Sequence, residues 1–138
     1  MGLTAGVDLG GTKIAVGVVD DEGHVLAETR RPTPRRDAAA VEAAIVEVVN
    51  DLAADHPIEA VGIGAAGFVD AGRARVLFAP NLGWSDEPLR DAVQTGTGLP
   101  AVVENDANAA AWGEYRYGAG MGAEHLVVVT VGTGIGGG

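Results

Sequence analysis

The stretch that decides the fold is "LTAGVDLGGTKIAVGVVD", Leu3 to Asp20. Two β-prone runs, "LTAGVDL" and "KIAVGVVD", stand on either side of Gly10 and Gly11, which predicts two strands joined by a tight glycine turn. Asp21-Glu22-Gly23 then turns the chain into a third strand, "HVLAETR", so the protein opens as an antiparallel meander. Beyond Pro32 and Pro34, Asp37 is placed to cap "AAAVEAAIVEVVNDLAADH", in which Val41, Ala44, Ile45, Val48, Val49 and Leu52 recur at helical spacing. Pro57 stops this helix, and "EAVGIGAAG" has the continuous apolar character of a buried strand.

The second half continues the alternation. A loop or small hairpin spans "FVDAGRARVLFAPNLGW"; Ser85 is placed to cap a helix "DEPLRDAVQTGTG", ended by Gly96 and Gly98. "LPAVVEN" reads as a strand and "DANAAAWGEYRYG" as a third helix, with Asp106 as its N-cap. After the glycine-rich "GAGMGAE" comes a last strand, "HLVVVTVG", followed by "TGIGGG". The expected architecture is α/β, a mixed sheet with an antiparallel meander and about three flanking helices. A strand running into a glycine turn calls for something to pack on it. The expected division is therefore a lobe over residues 1–118, then residues 119–138 as a linker with the first strand and glycine turn of a second lobe.

Composition agrees. A chain of 138 residues supports one core, and 47% hydrophobic residues with only 4% aromatics imply Val, Ile, Leu and Ala packing between helices and a sheet. Nineteen acids against nine bases give a formal charge of −10, which repels a phosphate backbone and excludes nucleic acid as the expected partner. The absence of cysteine leaves no disulfide framework and no thiolate metal site within these residues. No apolar run approaches a membrane span, so no membrane partner is expected and the expected location is cytoplasmic.

The glycine turns carry chemistry. "VDLGGTK" puts an acid, two glycines, a hydroxyl and the chain's only lysine, Lys13, between two strands. Gly10 and Gly11 let the backbone approach a phosphate; Thr12 and Lys13 add donors, and Asp8 can hold a hydrated Mg²⁺. The plainer alternative is a β-hairpin with no ligand. The turn is not a P-loop, because Thr12 precedes Lys13 and a strand follows where a helix is required. "GIGAAG", Gly62 to Gly67, fits a dinucleotide fingerprint by letter but opens no helix. "VGTGIGGG" repeats the first turn with Gly132, Thr133 and Gly134, and two such turns can grip a polyphosphate from opposite sides.

At the strand–helix junction "VENDANAAAWGEY", Asp106 is either a cap worth about 0.5–2 kcal/mol or a carboxylate that orients a sugar hydroxyl and accepts its proton. A helix N-terminus favours the negative charge that role needs. Glu104 is either solvated or paired with an arginine. Asn105 either makes the turn or, with a donor and an acceptor, fixes sugar hydroxyls. Asn81 in "APNLGW" offers amide contacts, while Trp84 either walls a sugar site or packs in the core.

Taken in order, "DLGGTK", "GIGAAGFVD", "APNLGW", "VENDANAAAWGE" and "VGTGIGGG" resemble the N-terminal portion of the bacterial glucokinases of the ROK family. That family lies within the sugar kinase and actin-like ATPase superfamily of ribonuclease H-like fold. The resemblance implies that Asp8, Gly10, Gly11, Thr12 and Lys13 form one phosphate turn and Gly132, Thr133 and Gly134 the other. It implies that Asp106 is the catalytic base, and that Asn81, Asn105 and the Ala65 to Gly67 backbone line the sugar site. Ala66 stands where many relatives have proline. It further implies ATP and Mg²⁺ as cofactors, glucose or a related hexose (mannose, N-acetylmannosamine, fructose) as substrate, and a homodimer in the full-length form. A structural zinc is expected only in a second lobe that also brings the adenosine pocket, so this chain alone is expected to show little kinase activity. A sugar-responsive regulator and a non-catalytic sugar-binding module of the same family are the competing expectations.

Overall fold

The computed structural model describes residues 2–34 and 36–138. The meander forms as expected: β1 (Leu3–Leu9), β2 (Lys13–Val19) and β3 (Val25–Pro32) pair antiparallel in sequence order. At the β2–β3 turn, Asp20 Oδ1 accepts the backbone N–H groups of Glu22 and His24, both at 2.9 Å. Gly23 sits there at φ 86°, where any side chain would also strike the Tyr117 ring.

Helix α1 (Ala38–Asp55) starts where Asp37 accepts the Ala40 N–H at 3.0 Å and ends at extended His56, just before Pro57. β4 (Ile58–Ala65) returns parallel to β1, and β8 (Ala101–Asn105) adds parallel to β4. The sheet order is β3-β2-β1-β4-β8, a mixed sheet of antiparallel and parallel halves. Between β4 and β8 lie β5 (Phe68–Val69), β6 (Val76–Ala79) and β7 (Trp84–Glu87), which form a small antiparallel sheet of their own, and then α2 (Leu89–Thr97).

One face of the main sheet is the core. Ala5, Val7, Leu9 and Ile14, Val16, Val18 alternate inward from β1 and β2 to meet Val41, Ile45 and Val49 of α1 and Leu89 and Val93 of α2, all essentially buried. The opposite face differs from the sequence reading of β4 as buried throughout. Gly6, Gly17 and Gly62 stand side by side there, joined by register, and leave the face bare apart from α3 (Asp106–Tyr117) over one end. The apolar run of β4 was long enough for two buried faces, but its glycines bring no side chain to the second.

Three boundaries depart from the sequence reading. Ser85 does not cap α2; it lies in β7, whose backbone is committed to β6, and the helix begins after Pro88 without a side-chain cap. Gly96 is inside α2, where its missing Cβ lets Val46 of α1 pack against the helix, and Gly98 alone ends it, at φ 72°. The last strand is short: β9 (Val129–Val131) turns through Gly132 to Gly134 and pairs with β10 (Ile135–Gly137), so the "TGIGGG" segment folds back as a hairpin partner.

Between α1 and β7, Glu42 and Glu87 share a partly buried contact, and the buried Glu42 Oε1 has no hydrogen-bond partner. Burial, then the hydrogen bond and charge of Glu87, push the Glu42 carboxyl from 4.5 up to about 7. Asp91 of α2 adds a third carboxylate to the same groove. The folded chain therefore holds this proton more tightly than the unfolded one, and the associated stability falls as pH rises from about 4.5 to about 7. Glu42→Gln should gain in melting temperature over the parent at pH 8 and gain little at pH 5; an equal difference at both would refute the assignment.

Candidate functional site

The parallel strands β1, β4 and β8 all end at one edge of the sheet, the edge where parallel α/β sheets bind ligands. Register places Leu9, Ala65 and Asn105 in one row, and Asp8, Gly64 and Glu104 in the row before it. The second row faces the open side. There α3 lies over Gly64: a Cβ built on it would make ordinary contact, 3.5 Å from Asp106 Cα and 3.6 Å from Ala109 Cβ.

Asn105 is the N-cap of α3, displacing the expected Asp106. With extended backbone (φ −60°, ψ 139°), its Oδ1 accepts from Ala107 N at 3.0 Å and Asn108 N at 3.1 Å. Its Nδ2 donates to Gly67 O at 2.9 Å, which ties the β4–β5 turn to the helix and leaves one amide hydrogen unspent. Asp106 moves to the first helical position, exposed, with Oδ1 accepting only the adjacent Ala107 N at 2.9 Å. Its carboxylate thus stands at a helix N-terminus beside a trough of about 1390 Å³ that runs along the open sheet face and that Asp8, Gly64 and Glu104 also line.

Asp8 feels this neighbour. Partial withdrawal from solvent and then the Asp106 charge raise its carboxyl above the ordinary range, and Lys13 opposes them. Two carboxylates facing one gap, with an ammonium at its side, make an oxygen-rich pocket suited to a hard divalent cation.

The first glycine turn is pinned from two sides. Gly10 N closes it on Lys13 O at 3.1 Å, Thr33 Oγ1 donates to Gly10 O at 2.8 Å, and Thr33 N donates to Thr12 O at 3.0 Å. Gly10 has spent its N–H within the turn, so a backbone donor offered to phosphate is that of Gly11 or Thr12. A Cβ on Gly11 would lie 3.0 Å from Asn81 Cβ, which brings the "APNLGW" loop against this turn. Ala66 N reaches Leu9 O at 3.3 Å, and Gly67 is so close to Phe78 O and Ala79 that a side chain does not fit. Asp8, Gly10 to Lys13, Ala65 to Gly67, Asn81, Asn105 and Asp106 therefore gather at one edge. Trp84 is 4% exposed and belongs to the core.

Gly132, Thr133 and Gly134 lie elsewhere, at the exposed tip of the β9–β10 hairpin, and do not line the trough. The hairpin touches the site through its base, where Gly138 packs on Ala107 and Asn108. Sequence reasoning left Arg73 without a role. It approaches Glu104 at 3.2 Å (Nε to Oε2), and the one signal for it was the expectation that Glu104 pairs with an arginine.

A meander followed by parallel βαβ units, with a carboxylate at the head of the helix after the last strand, defines a lobe of the actin-like ATPase fold. The chain belongs to the ROK family, whose family model matches residues 4–138. It is 56% identical over 138 residues to a glucokinase of Streptomyces coelicolor, covering 100% of this chain and 43% of that protein. It is 37% identical over 139 residues to an N-acetylmannosamine kinase of Yersinia pestis, covering 100% and 47% respectively. Among solved structures it superposes on a ROK family glucokinase from Streptomyces griseus in complex with glucose and AMPPNP, with TM-score 0.93, 58% identity, 99% of this chain and 43% of that one covered. The chain thus spans less than half the length of these relatives.

Replacing Asn105 tests the junction directly. Asn105→Ala should cost about 1–2 kcal/mol in chemical denaturation, and Asn105→Ser, which keeps a capping oxygen, should restore most of it. Equal losses in the two variants would contradict the capping geometry.

Proposed function

We propose that this chain is the sugar- and phosphate-gripping lobe of an ATP-dependent hexokinase acting on the 6-hydroxyl of glucose. The observation that supports it most is the division of labour at the junction: Asn105 caps α3, which frees the Asp106 carboxylate to face the trough opposite Asp8. Phosphoryl transfer asks the protein chiefly for positioning and charge, and the strand ends supply both. Asp106 would orient the hydroxyl and take its proton as the oxygen bonds to the γ-phosphorus and the bond from that phosphorus to the bridging oxygen breaks, ADP being the leaving group. The free Nδ2 hydrogen of Asn105, the amide of Asn81 and the backbone from Ala65 to Gly67 hold the neighbouring hydroxyls. Gly11, Thr12 and Lys13 receive phosphate oxygens.

Mg²⁺ fits the site on chemical grounds, because Asp8, raised by partial burial and then by the Asp106 charge, stands where a divalent cation would offset both. Asp8 would hold it through water, and it would neutralise charge on the phosphates. We assign residues 119–138 to a linker and the first hairpin of a second lobe, whose hairpin tip carries Gly132, Thr133 and Gly134 to the nucleotide on domain closure. This chain has no cysteine to offer the zinc expected of that second lobe. A cytoplasmic homodimer completes the reading; among the described residues no helix is long and apolar enough to cross a membrane.

A second substrate has its own support. The similarity to an N-acetylmannosamine kinase spans the whole chain, so a 2-substituted hexose is the alternative at the same site. Competition between glucose and N-acetylmannosamine in a coupled ADP assay of the full-length protein decides between them.

Asp106→Asn in the full-length protein should lower kcat by roughly 10²-fold or more while sugar still binds, as read by coupled assay and calorimetry. Near-normal turnover would end the proposal.

A further inference from the structure

The β4–β5 turn and the β5–β6 loop are fastened to the end of β8 by more than the sheet requires. Val103 N donates to Arg73 O at 2.9 Å, Asn105 Nδ2 donates to Gly67 O at 2.9 Å, and Arg73 Nε meets Glu104 Oε2 at 3.2 Å. Arg73 holds a left-handed backbone, φ 53°, that a non-glycine residue adopts at a cost. Glu104 is the point where these ties converge on the catalytic helix. Its other oxygen, Oε1, accepts the backbone N–H of Asn105 at 2.8 Å and the side-chain amide of Asn108 at 3.2 Å, one turn into α3.

One carboxylate therefore grips the residue before Asp106 and the residue two after it. Its two oxygens do different work. The Arg73 side of the contact is 63% exposed, so solvent and salt screen it and the ion pair holds little. The Oε1 side is formed with the backbone and with the first turn of the helix, and it fixes the torsion at which the chain passes from β8 into α3. Asp8, Gly64 and Glu104 occupy one row of the sheet, and Gly64 brings nothing between them, so α3 rests over this row with no side chain at its centre to fix its height. The row holds α3 at its edge, through Glu104.

We propose that Glu104 is a positioning residue for the phosphoryl transfer. Through Oε1 it holds Asn105 and Asn108, and thereby the Asp106 carboxylate, at the depth and direction from which it meets the sugar hydroxyl. The proposal rests on Asp106 as base. A shift of about an ångström at a reacting group can cost on the order of a hundredfold in rate, so this grip acts on kcat even where it adds little to stability.

The test uses the full-length protein. Glu104→Ala should lower kcat roughly 10- to 100-fold with the glucose KM changed about twofold or less. Glu104→Gln, which keeps an acceptor for Asn105 and Asn108 but loses the charge facing Arg73, should recover most of that loss, and Arg73→Ala should cost only a few-fold. Alanine and glutamine variants falling together would overturn the assignment to Oε1; a kcat for Glu104→Ala within twofold of the parent, whatever its melting temperature, would overturn the positioning role. Should Glu104→Ala fail to fold, Asn108→Ala on the exposed side of α3 replaces it: a several-fold drop in kcat is expected, and an unchanged kcat sinks the proposal. Asp106→Asn run alongside separates the two levels. Full turnover there removes the base and the proposal together, whereas an inactive Asp106→Asn beside a fully active Glu104→Ala removes the positioning role alone.

Discussion

The site depends on a single amide. Asn105 satisfies two orphan N–H groups of α3 with its oxygen and the Gly67 carbonyl with its nitrogen, so the helix, the last parallel strand and the turn after β4 become one unit. A helix could be capped equally well by an aspartate, and the sequence offers one at the next position. Had Asp106 taken that place, its carboxylate would be bound to backbone and turned into the helix. The asparagine ahead of it resolves the competition: a neutral group does the structural bonding and the charged group is left open to the trough.

This arrangement explains what the sequence made legible and what it did not. The meander and α1 followed from local signals of short range, namely alternation, glycine turns, and a cap at Asp37 that the structure repeats; of β4 and β8 only the strands and a mixed sheet were legible, not their parallel pairing. The gathering of Asp8, the first glycine turn and the junction was implied by the family resemblance, and the structure supplies its physical reason in parallel strands that end together. The errors came where two residues competed for one role or where a long-range contact decided. Ser85 is a good capping residue by type, yet pairing with β6 holds it in a strand. Gly96 is a good terminator by type, yet it serves close packing against Val46. An arginine partner for Glu104 and a core position for Trp84 were open alternatives in the sequence, and where the β5–β7 sheet folds back decides both, with Arg73 as the partner.

The charge layout has the same logic. The chain carries a large acidic excess, and at the strand ends Asp8, Glu104 and Asp106 crowd together. Each is managed differently: Glu104 is hydrogen-bonded through Oε1 and ion-paired through Oε2, Asp8 is pushed toward protonation and offset by Lys13, and Asp106 is left open at the positive end of α3. Carboxylates of one residue class thus acquire distinct roles from their surroundings alone.

Helix α3 is held at its two ends far more than along its length. Of its residues only Ala107 is buried, while at the far end the Tyr117 hydroxyl donates to Asp21 O at 3.3 Å and the ring lies against Gly23. It behaves as a strut about 18 Å long, clamped to the cleft at one end and to the β2–β3 bend at the other. Strain entering at that distant bend has a stiff lever to the Asp106 carboxylate, so the peripheral loop and the strand-end cleft share one mechanical element.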